Sequence, residues 1–105
     1  MALVEQIITF GSSAPTQIAP ADTYATEIFI EPLRTNTADM YVGTSALTQN
    51  GSAGTISDLY QPSSSPTIPD RFELNAKGGN HNYDASTIYV WGATGQGCKV
   101  TYWTT

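Results

Sequence analysis

The side chains that could perform chemistry are few in this chain, and their spacing argues against catalysis. His81 is the single histidine, and Asp84 follows it in a region rich in polar residues. A Ser-His-Asp triad depends on a geometry that spacing alone does not supply. The G-x-S-x-G motif, which would place a nucleophilic serine on a sharp turn, does not occur. We therefore predict that the protein is not an enzyme, and we interpret His81 as a solvated loop residue.

The acidic residues do not form the pair of facing carboxyl groups that glycoside hydrolysis needs. Glu27 and Glu31 share one face of a predicted strand, where four residues span roughly 13 Å. Asp70 and Glu73 fall on opposite faces of another predicted strand. We interpret these acids as solvated surface residues or as polar contacts between subunits.

Neither a metal site nor a cofactor site is predicted. The loop GGNHNYDAS offers oxygen ligands for calcium, but Asp84 is its only carboxylate, and the calcium-loop pattern D-x-[DN]-x-[DN]-G is absent. The glycine-rich GATGQG is not followed by the helix that a phosphate cradle requires, so it is better interpreted as a turn between strands.

Cys98 is the single cysteine, so it cannot form a disulfide within the chain or contribute to a zinc site made of cysteine pairs. It lies between Gly97 and Lys99 in an alternating pattern typical of a strand. We predict that Cys98 is buried and behaves as a small apolar side chain.

The charge distribution argues against nucleic acid and membrane partners. The chain carries 4 basic and 9 acidic residues for a net charge of −5, and the basic ones are scattered singly. Binding to phosphates needs a cluster of lysines and arginines. The first residues, MALVEQIITF, lack the basic region of a signal peptide, and no stretch reaches the ~20 apolar residues of a membrane span. We expect synthesis in a cytoplasm.

The remaining pattern is that of an all-β domain. Apolar residues do not recur at helical spacing, whereas short alternating segments recur about every ten to fifteen residues, typical of a sandwich or barrel. We predict one domain over residues 1–105, a β-sandwich of jelly-roll or Greek-key type with about seven to eight strands. The candidate strands are Leu3 to Phe10, Thr16 to Ala19, Tyr24 to Glu31, ADMYVG, ISDLYQP, RFELNA, Thr87 to Trp91 and Cys98 to Trp103.

The last two candidate strands, in TIYVWGATGQGCKVTYWTT, suggest a hairpin with aromatic residues on both faces. Alternation assigns Cys98, Val100 and Tyr102 to the core, together with apolar residues of the preceding strand. The same alternation points Tyr89, Trp91 and Trp103 outward. Three covers for this outward set remain open: another protein subunit, which we favour, a loop of the same chain, or a sugar.

Three segments in this order, IFIEPLRTNTADMYVGTSALT, DRFELN and ASTIYVWGATGQGCKVTYW, carry a resemblance. They combine a strand that runs into a P-x-x-T-N loop, the tripeptide YVG, and a late IYV strand followed by a glycine turn. From about residue 24 to residue 104 the chain resembles the small β-sandwich decoration, or cement, proteins of tailed-phage heads, which have relatives in fibre and tail accessory parts.

That resemblance implies a structural virion protein on the capsid surface. Such proteins have no active site, bind the major capsid protein from outside, and are commonly homotrimers. For residues 1–20 our hypothesis is an extended N-terminal arm, whose capsid contacts would be Leu3, Val4, Ile7, Ile8 and Phe10. Subunit association would use Tyr89, Trp91 and Trp103. The alternative function is a carbohydrate-binding or host-attachment module of a fibre or tail, with the same three aromatic rings as stacking platforms.

Overall fold

The computed structural model describes residues 2–60, 70–76 and 82–105, and these contain nine β-strands and one turn of 3-10 helix. The helical turn spans Ala85–Thr87 and precedes the last two strands. The strands, in chain order, are β1 (Leu3–Thr9), β2 (Thr16–Gln17), β3 (Tyr24–Pro32), β4 (Met40–Gly43), β5 (Thr55–Leu59), β6 (Phe72–Asn75), β7 (Tyr83–Asp84), β8 (Tyr89–Gly92) and β9 (Gly97–Thr104).

The strands form two antiparallel sheets. The larger sheet has the order β1-β9-β3-β6, with the short β7 also paired to β3, and the smaller sheet has the order β2-β8-β4-β5. Apart from the β4–β5 hairpin and the short β7, each strand passes to the opposite sheet from the strand before it. This strand order is that of an eight-stranded jelly roll. The predicted single-domain, all-β sandwich is therefore confirmed. Of the two predicted topologies, jelly roll and Greek key, the structure has the jelly roll.

The core lies between the inner faces of the two sheets. Side chains on a strand alternate between faces, so every second residue can reach this space. Ile28 and Ile30 of β3 and Val100 of β9 come from the larger sheet, and Met40 and Val42 of β4 come from the smaller one; all are fully buried. Burial of such aliphatic side chains, at about 1.5–3 kcal/mol each, is the main force that holds the two sheets together.

The predicted hairpin at the end of the chain is wrong, because its two strands belong to different sheets. β8 pairs with β2 and β4, whereas β9 pairs with β1 and β3. The connecting residues pair instead with Phe10: its N–H donates to Gln96 O at 2.8 Å and its carbonyl accepts from Gly95 N at 3.0 Å. The glycine turn therefore carries the chain across the sandwich rather than back along the same sheet.

The hypothesis of an extended N-terminal arm is also corrected. All seven residues of β1 pair in continuous register with β9, from Leu3 opposite Trp103 to Thr9 opposite Gly97. Further along, β2 pairs with β8 in the smaller sheet. The first twenty residues thus supply an edge strand to each sheet and form part of the sandwich.

The faces of β3 change partway along the strand. Strict alternation predicts Ala25 on the face opposite to Ile28 and Ile30, yet all three are fully buried. The pairing with β9 shifts between Ala25 and Glu27, which is a β-bulge. A bulge inserts one extra residue and so reverses the alternation on one side of it.

The segment GGNHNYDAS, which we interpret from the sequence as a loop, contains regular structure towards its end. Within it, β7 pairs with the start of β3, and Ala85 is fully buried. The Asp84 carboxylate accepts a hydrogen bond from Ser86 N at 3.0 Å and so caps the helical turn that follows. His81 and the proline- and serine-rich segment over residues 61–69 lie outside the described residues.

One buried polar residue fixes the connection between β3 and β4. Asn36, which is 1% exposed, donates through Nδ2 to Gly97 O at 2.7 Å and accepts from Gly97 N at Oδ1 at 3.1 Å. Its side chain thereby pairs with the first residue of β9 as a neighbouring strand would. This contact gives a structural role to the asparagine of the P-x-x-T-N loop.

Candidate interaction surface

The last strand separates core residues from surface residues as the alternation predicts. Cys98, Val100 and Tyr102 are buried, whereas Lys99 and Trp103 are exposed. Burial raises the pKa of the Cys98 thiol to about 12, so the thiolate is not populated near neutral pH. The predicted burial of Cys98 is confirmed, and Trp103 points away from the core.

The outer face of the larger sheet carries Trp103 and its cross-strand neighbours. Leu3 of β1 and Glu27 of β3 lie directly opposite Trp103 on its two sides. Leu3 is 46% exposed and Trp103 37% exposed. We call these two adjacent residues the Leu3–Trp103 patch. Directly opposite side chains in antiparallel strands lie about 5 Å apart, so the two form one continuous apolar surface.

Charged residues border this apolar surface along the same face. Ile7, which is 67% exposed, lies opposite Lys99, and Lys99 lies opposite Glu31. At the far side of the sheet, the Arg71 guanidinium lies 4.8 Å from the centre of the Phe29 ring. Arg71 also pairs with Glu73 at 3.0 Å and with Glu31 at 3.9 Å.

Trp91 lies on the opposite side of the molecule, and the prediction that it is an exposed anchor is wrong. Its cross-strand neighbour is Tyr41, and the residues beside it on β8, Val90 and Gly92, face the core. Trp91 therefore points to the outer face of the smaller sheet, as alternation predicts, but it is only 9% exposed. Its indole N–H donates to Gly11 O at 2.9 Å, so the segment after β1 covers it. The cover is a loop of the same chain.

Tyr41 is covered on this face by a second loop. Gly51, in the turn sequence Asn50-Gly51, has a φ of 73°, and a Cβ built on it would lie 2.5 Å from the Tyr41 ring. Gln49, in the same loop, donates through Nε2 to Gly92 O at 3.0 Å and to Thr94 Oγ1 at 3.0 Å. The loop between β4 and β5 is thereby attached to the last residue of β8 and to the turn that follows it.

Tyr89 is half-buried on the same face of the smaller sheet, opposite Gln17 and Gly43. The three aromatic residues predicted to form one association surface are therefore divided between two faces. Tyr89 and Trp91 lie on the smaller sheet and Trp103 lies on the larger one. The division follows directly from the separation of β8 and β9 into different sheets.

The predicted capsid-contact residues are divided as well. Leu3 and Ile7 are exposed on the outer face of the larger sheet, and Val4 is half-buried against the core. Ile8 and Phe10 are 8% and 2% exposed, so they pack inside and their assignment as surface contacts is corrected. The exposed members, Leu3 and Ile7, lie on the same face as Trp103, so one part of each predicted contact set shares that face.

A feature that sequence reasoning missed is an open polar cleft of about 410 Å³ at one end of the smaller sheet. Burial, then the charge of Asp58, then that of Asp39 raises the pKa of the Tyr41 phenol. Burial, followed by the charges of Asp39 and Asp70, raises the pKa of Asp58. The turn sequence beside Tyr41 was the only signal for this site. The cleft is lined by Thr37, Ala38, Asp39, Tyr41, Gln49, Asn50 and Ala93.

The described part of the chain contains no cluster of three or more His, Cys, Asp or Glu residues arranged to hold a metal ion. None of its helical segments is long and apolar enough to cross a membrane. Comparisons of the chain with protein-family models, with curated proteins and with solved structures find no match.

Proposed function

We propose that this chain is a structural virion protein of a tailed phage that decorates and stabilises the exterior of the capsid as an oligomer. The observation that carries the proposal is the open outer face of the larger sheet, where the Leu3–Trp103 patch and Ile7 lie exposed. The resemblance of residues 24 to 104 to phage decoration proteins supports it. So does the jelly roll, a fold that viral capsid proteins use, although fold alone does not determine function.

The proposed mechanism is multivalent binding. One patch of this size gives a weak contact, because a stable interface requires roughly 800 Å² on each partner. Copies joined in an oligomer present several patches at once to neighbouring major capsid proteins, and their effective concentration raises the overall affinity. The low content of charged residues, 12% of the chain, suits a protein that is packed against others. No catalysis and no cofactor belong to this function.

Binding to capsids stripped of decoration protein tests the proposal. Trp103→Ala and Leu3→Ala are expected to weaken binding at least tenfold, since aromatic and aliphatic anchors at an interface centre contribute most of its energy. Matched controls are Tyr60→Ala and Ile56→Ala, because these residues are 61% and 59% exposed and lie away from the larger sheet. Ile56 belongs to β5 of the smaller sheet, and Tyr60 directly follows β5. Equal binding by all four variants would contradict the proposal.

The oligomeric state is a separate part of the proposal. The resemblance implies a trimer, for which sedimentation of the free protein should give a mass near three times the 11.2 kDa of the chain. The place of action would be the capsid surface, after synthesis in the host cytoplasm. Labelling of intact particles with an antibody to the protein would show whether it is exposed there.

A second candidate function is glycan binding, and the polar cleft is the observation that favours it. Its lining includes an aromatic ring, Tyr41, together with the carboxylate of Asp39 and the amide of Asn50. Sugars are commonly held by such a combination of an aromatic surface and polar groups that fix orientation. The Asn50 Oδ1 atom already accepts bonds from Thr48 and Ser52, which leaves its amide N–H groups to donate to a ligand.

A glycan array distinguishes this candidate from the first. Specific binding that is lost in Asn50→Ala, yet is unchanged in Trp103→Ala, would place a sugar at the cleft and favour a host-attachment module. The reverse dependence, with capsid binding lost only in Trp103→Ala, would favour decoration. Tyr89, Trp91 and Trp103 cannot form a single stacking platform in this structure, because Trp103 lies on the other sheet and Trp91 is only 9% exposed.

A further inference from the structure

The free edge of β1 differs from the other sheet edges in the described part of the chain. β1 is seven residues long, its pairing with β9 contains no bulge, and it includes neither proline nor lysine. Natural sheets protect their edges with short strands, prolines, bulges or charges, because unpaired backbone groups bind other strands. In β1, Glu5 is the only charged residue, and Leu3 and Ile7 are exposed.

The other three edges carry such protection. β2 has only two residues, and Pro15 and Pro20 flank it. The ladder between β4 and β5 is interrupted by a register shift between Val42 and Gly43. β6 has four residues, including Glu73, which pairs with Arg71. Among the described edges, β1 is therefore the one best suited to pair with another strand.

Two hydrogen bonds show which backbone groups of β1 point to its free edge. Thr104 N donates to Ala2 O at 2.8 Å, and Phe10 N donates to Gln96 O at 2.8 Å. Hydrogen-bonded pairs alternate along an antiparallel ladder, so Val4, Gln6 and Ile8 direct their N–H and C=O groups to β9. The N–H and C=O groups of the alternate residues must therefore point outward. These residues are Leu3, Glu5, Ile7 and Thr9, and their outward groups have no hydrogen-bond partner among the described residues.

We propose that β1 pairs antiparallel with β1 of a second copy of this chain around a two-fold axis. A strand can always pair with itself in this way, because a two-fold axis reverses its direction. The register that places Gln6 opposite the second copy's Gln6 uses all four outward residues: Leu3 pairs with Thr9, and Glu5 pairs with Ile7. This register forms about eight hydrogen bonds between the copies.

Alternative registers are less favourable. A shift that pairs Leu3 with Ile7 would also place Glu5 directly opposite Glu5, and like charges in that position are destabilising. The opposite shift, with Ile7 facing Ile7, leaves the outward groups of Leu3 unpaired. The Gln6 register alone satisfies every outward group and keeps the two glutamates apart.

The pairing would join the two larger sheets into one continuous sheet, with both Leu3–Trp103 patches on the same face. It does not rest on the proposed function, since it follows from the backbone of β1 and holds for any role of the outer face. It does predict a dimer in solution, with a mass near twice 11.2 kDa, in place of the trimer that the resemblance implies.

Disulfide trapping tests both the contact and its register. In the proposed register the two Gln6 residues form a non-hydrogen-bonded pair, with Cα atoms about 4.5 Å apart. This lies within the roughly 4.4–6.8 Å that a disulfide bridges. Gln6→Cys should therefore become mostly cross-linked under mild oxidation. The native Cys98 is buried and does not interfere.

The control is Glu5→Cys, whose thiol is more exposed on the same strand. In the proposed register two Glu5 residues lie about 8 Å apart, beyond the reach of a disulfide. Preferential cross-linking of Glu5→Cys would overturn the register. Absence of cross-linking in both variants, with a wild-type mass of one or three chains, would overturn the pairing and leave capsid decoration untouched.

A second pair of variants tests the role of the backbone. Ile7→Pro removes an N–H that points to the free edge, so it breaks no bond to β9 and is tolerated at an edge position. Its mass should fall to that of a monomer, while Ile7→Thr, which keeps the N–H, should remain a dimer. Hydrogen exchange of the wild-type chain provides a check without mutation: the amides of Leu3, Glu5, Ile7 and Thr9 should be protected, and should lose protection on dilution. Fast exchange of these amides at all concentrations would contradict the proposal.

Discussion

The two outer faces of the sandwich carry similar aromatic residues, but these residues differ in how far they are exposed. Trp91 on the smaller sheet is 9% exposed, because the segment at Gly11 covers its ring and accepts its N–H. Trp103 on the larger sheet is 37% exposed, and its neighbour Leu3 is more exposed still. Both tryptophans point away from the core. The direction of a side chain therefore does not determine whether other residues cover it.

Loops of the chain cover aromatic residues on the smaller sheet. The loops after β1 and between β4 and β5 both fold onto the smaller sheet, at Trp91 and at Tyr41 respectively. On the larger sheet, the cover that the described residues show is the Arg71 side chain over Phe29. The difference in cover between the two faces is the physical basis on which we propose that the larger sheet mediates association.

Loss of the Trp91 ring should lower the free energy of unfolding more than any other substitution that we propose. A small loss would show that the two outer faces do not differ in cover. Trp91→Ala is expected to lower the free energy of unfolding by about 3–5 kcal/mol, as for other buried tryptophans. Trp103→Ala should lower it by about 1 kcal/mol or less, as for most surface substitutions. Chemical denaturation of both variants measures the difference.

The intermediate variant Trp91→Phe separates packing from hydrogen bonding. It keeps an aromatic ring but removes the donor to Gly11 O, so we expect a loss of about 0.5–1.5 kcal/mol. If Trp103→Ala proved as destabilising as Trp91→Ala, the two faces would be equally covered and the open surface would not exist.

Local patterns in the sequence were sufficient to predict the fold class and most strands. Period-two alternation identified the inner residues of β9, and the absence of helical spacing excluded a helical domain. The buried Cys98 followed from the same alternation. These features depend on which side of a strand a residue occupies, which the sequence encodes directly.

Pairing and cover could not be predicted from those patterns. The sequence of the turn after β8 is typical of a hairpin. Its backbone instead pairs with Phe10, which is more than eighty residues earlier in the chain. The bulge in β3 reverses the faces at Ala25 without a sequence signal such as glycine. Likewise, nothing near Trp91 indicates that Gly11 accepts its N–H. Each of these errors concerns a contact between distant segments.

The cover of Tyr41 by Gly51 should produce the next largest effect. Gly51→Ala introduces a Cβ at a φ of 73° and against the Tyr41 ring, so we expect a loss of about 2 kcal/mol. Gly95 is a matched control, because its φ is 86° but a Cβ there would meet nothing within 4 Å. Gly95→Ala should therefore lose only the part due to backbone strain. Equal losses in the two variants would show that the loop does not press on Tyr41.

The burial of Cys98 on the inner side of β9 can be tested by the pH dependence of stability. The expected change in the free energy of unfolding is on the order of 1 kcal/mol. An unfolded thiol ionises near pH 9, whereas burial holds the pKa of Cys98 at about 12 in the folded chain. The folded state therefore keeps its proton while the unfolded state loses it, and stability falls as pH rises from 9 towards 12. At pH 10 the loss is on the order of 1 kcal/mol.

The control for this pH dependence is Cys98→Ala, which should lack the component due to the thiol. Thiol reagents should label native Cys98 slowly, and the rate should rise when the protein unfolds. Rapid labelling of the native protein would place Cys98 outside and reverse the two faces of β9.

The smallest expected effect concerns Arg71, which lies over Phe29 on the open face. Because Arg71 is a partly solvated side chain, its contact with the ring and its ion pairs should together contribute about 0.5–1 kcal/mol. We expect Arg71→Ala to lose this amount in chemical denaturation, and Arg71→Lys, which keeps the charge, to lose less. Added salt should reduce the difference, since it screens exposed ion pairs. A loss above about 2 kcal/mol would mean that one side chain covers Phe29 as effectively as a loop covers Trp91, and the larger sheet would then be open only around Leu3, Ile7 and Trp103.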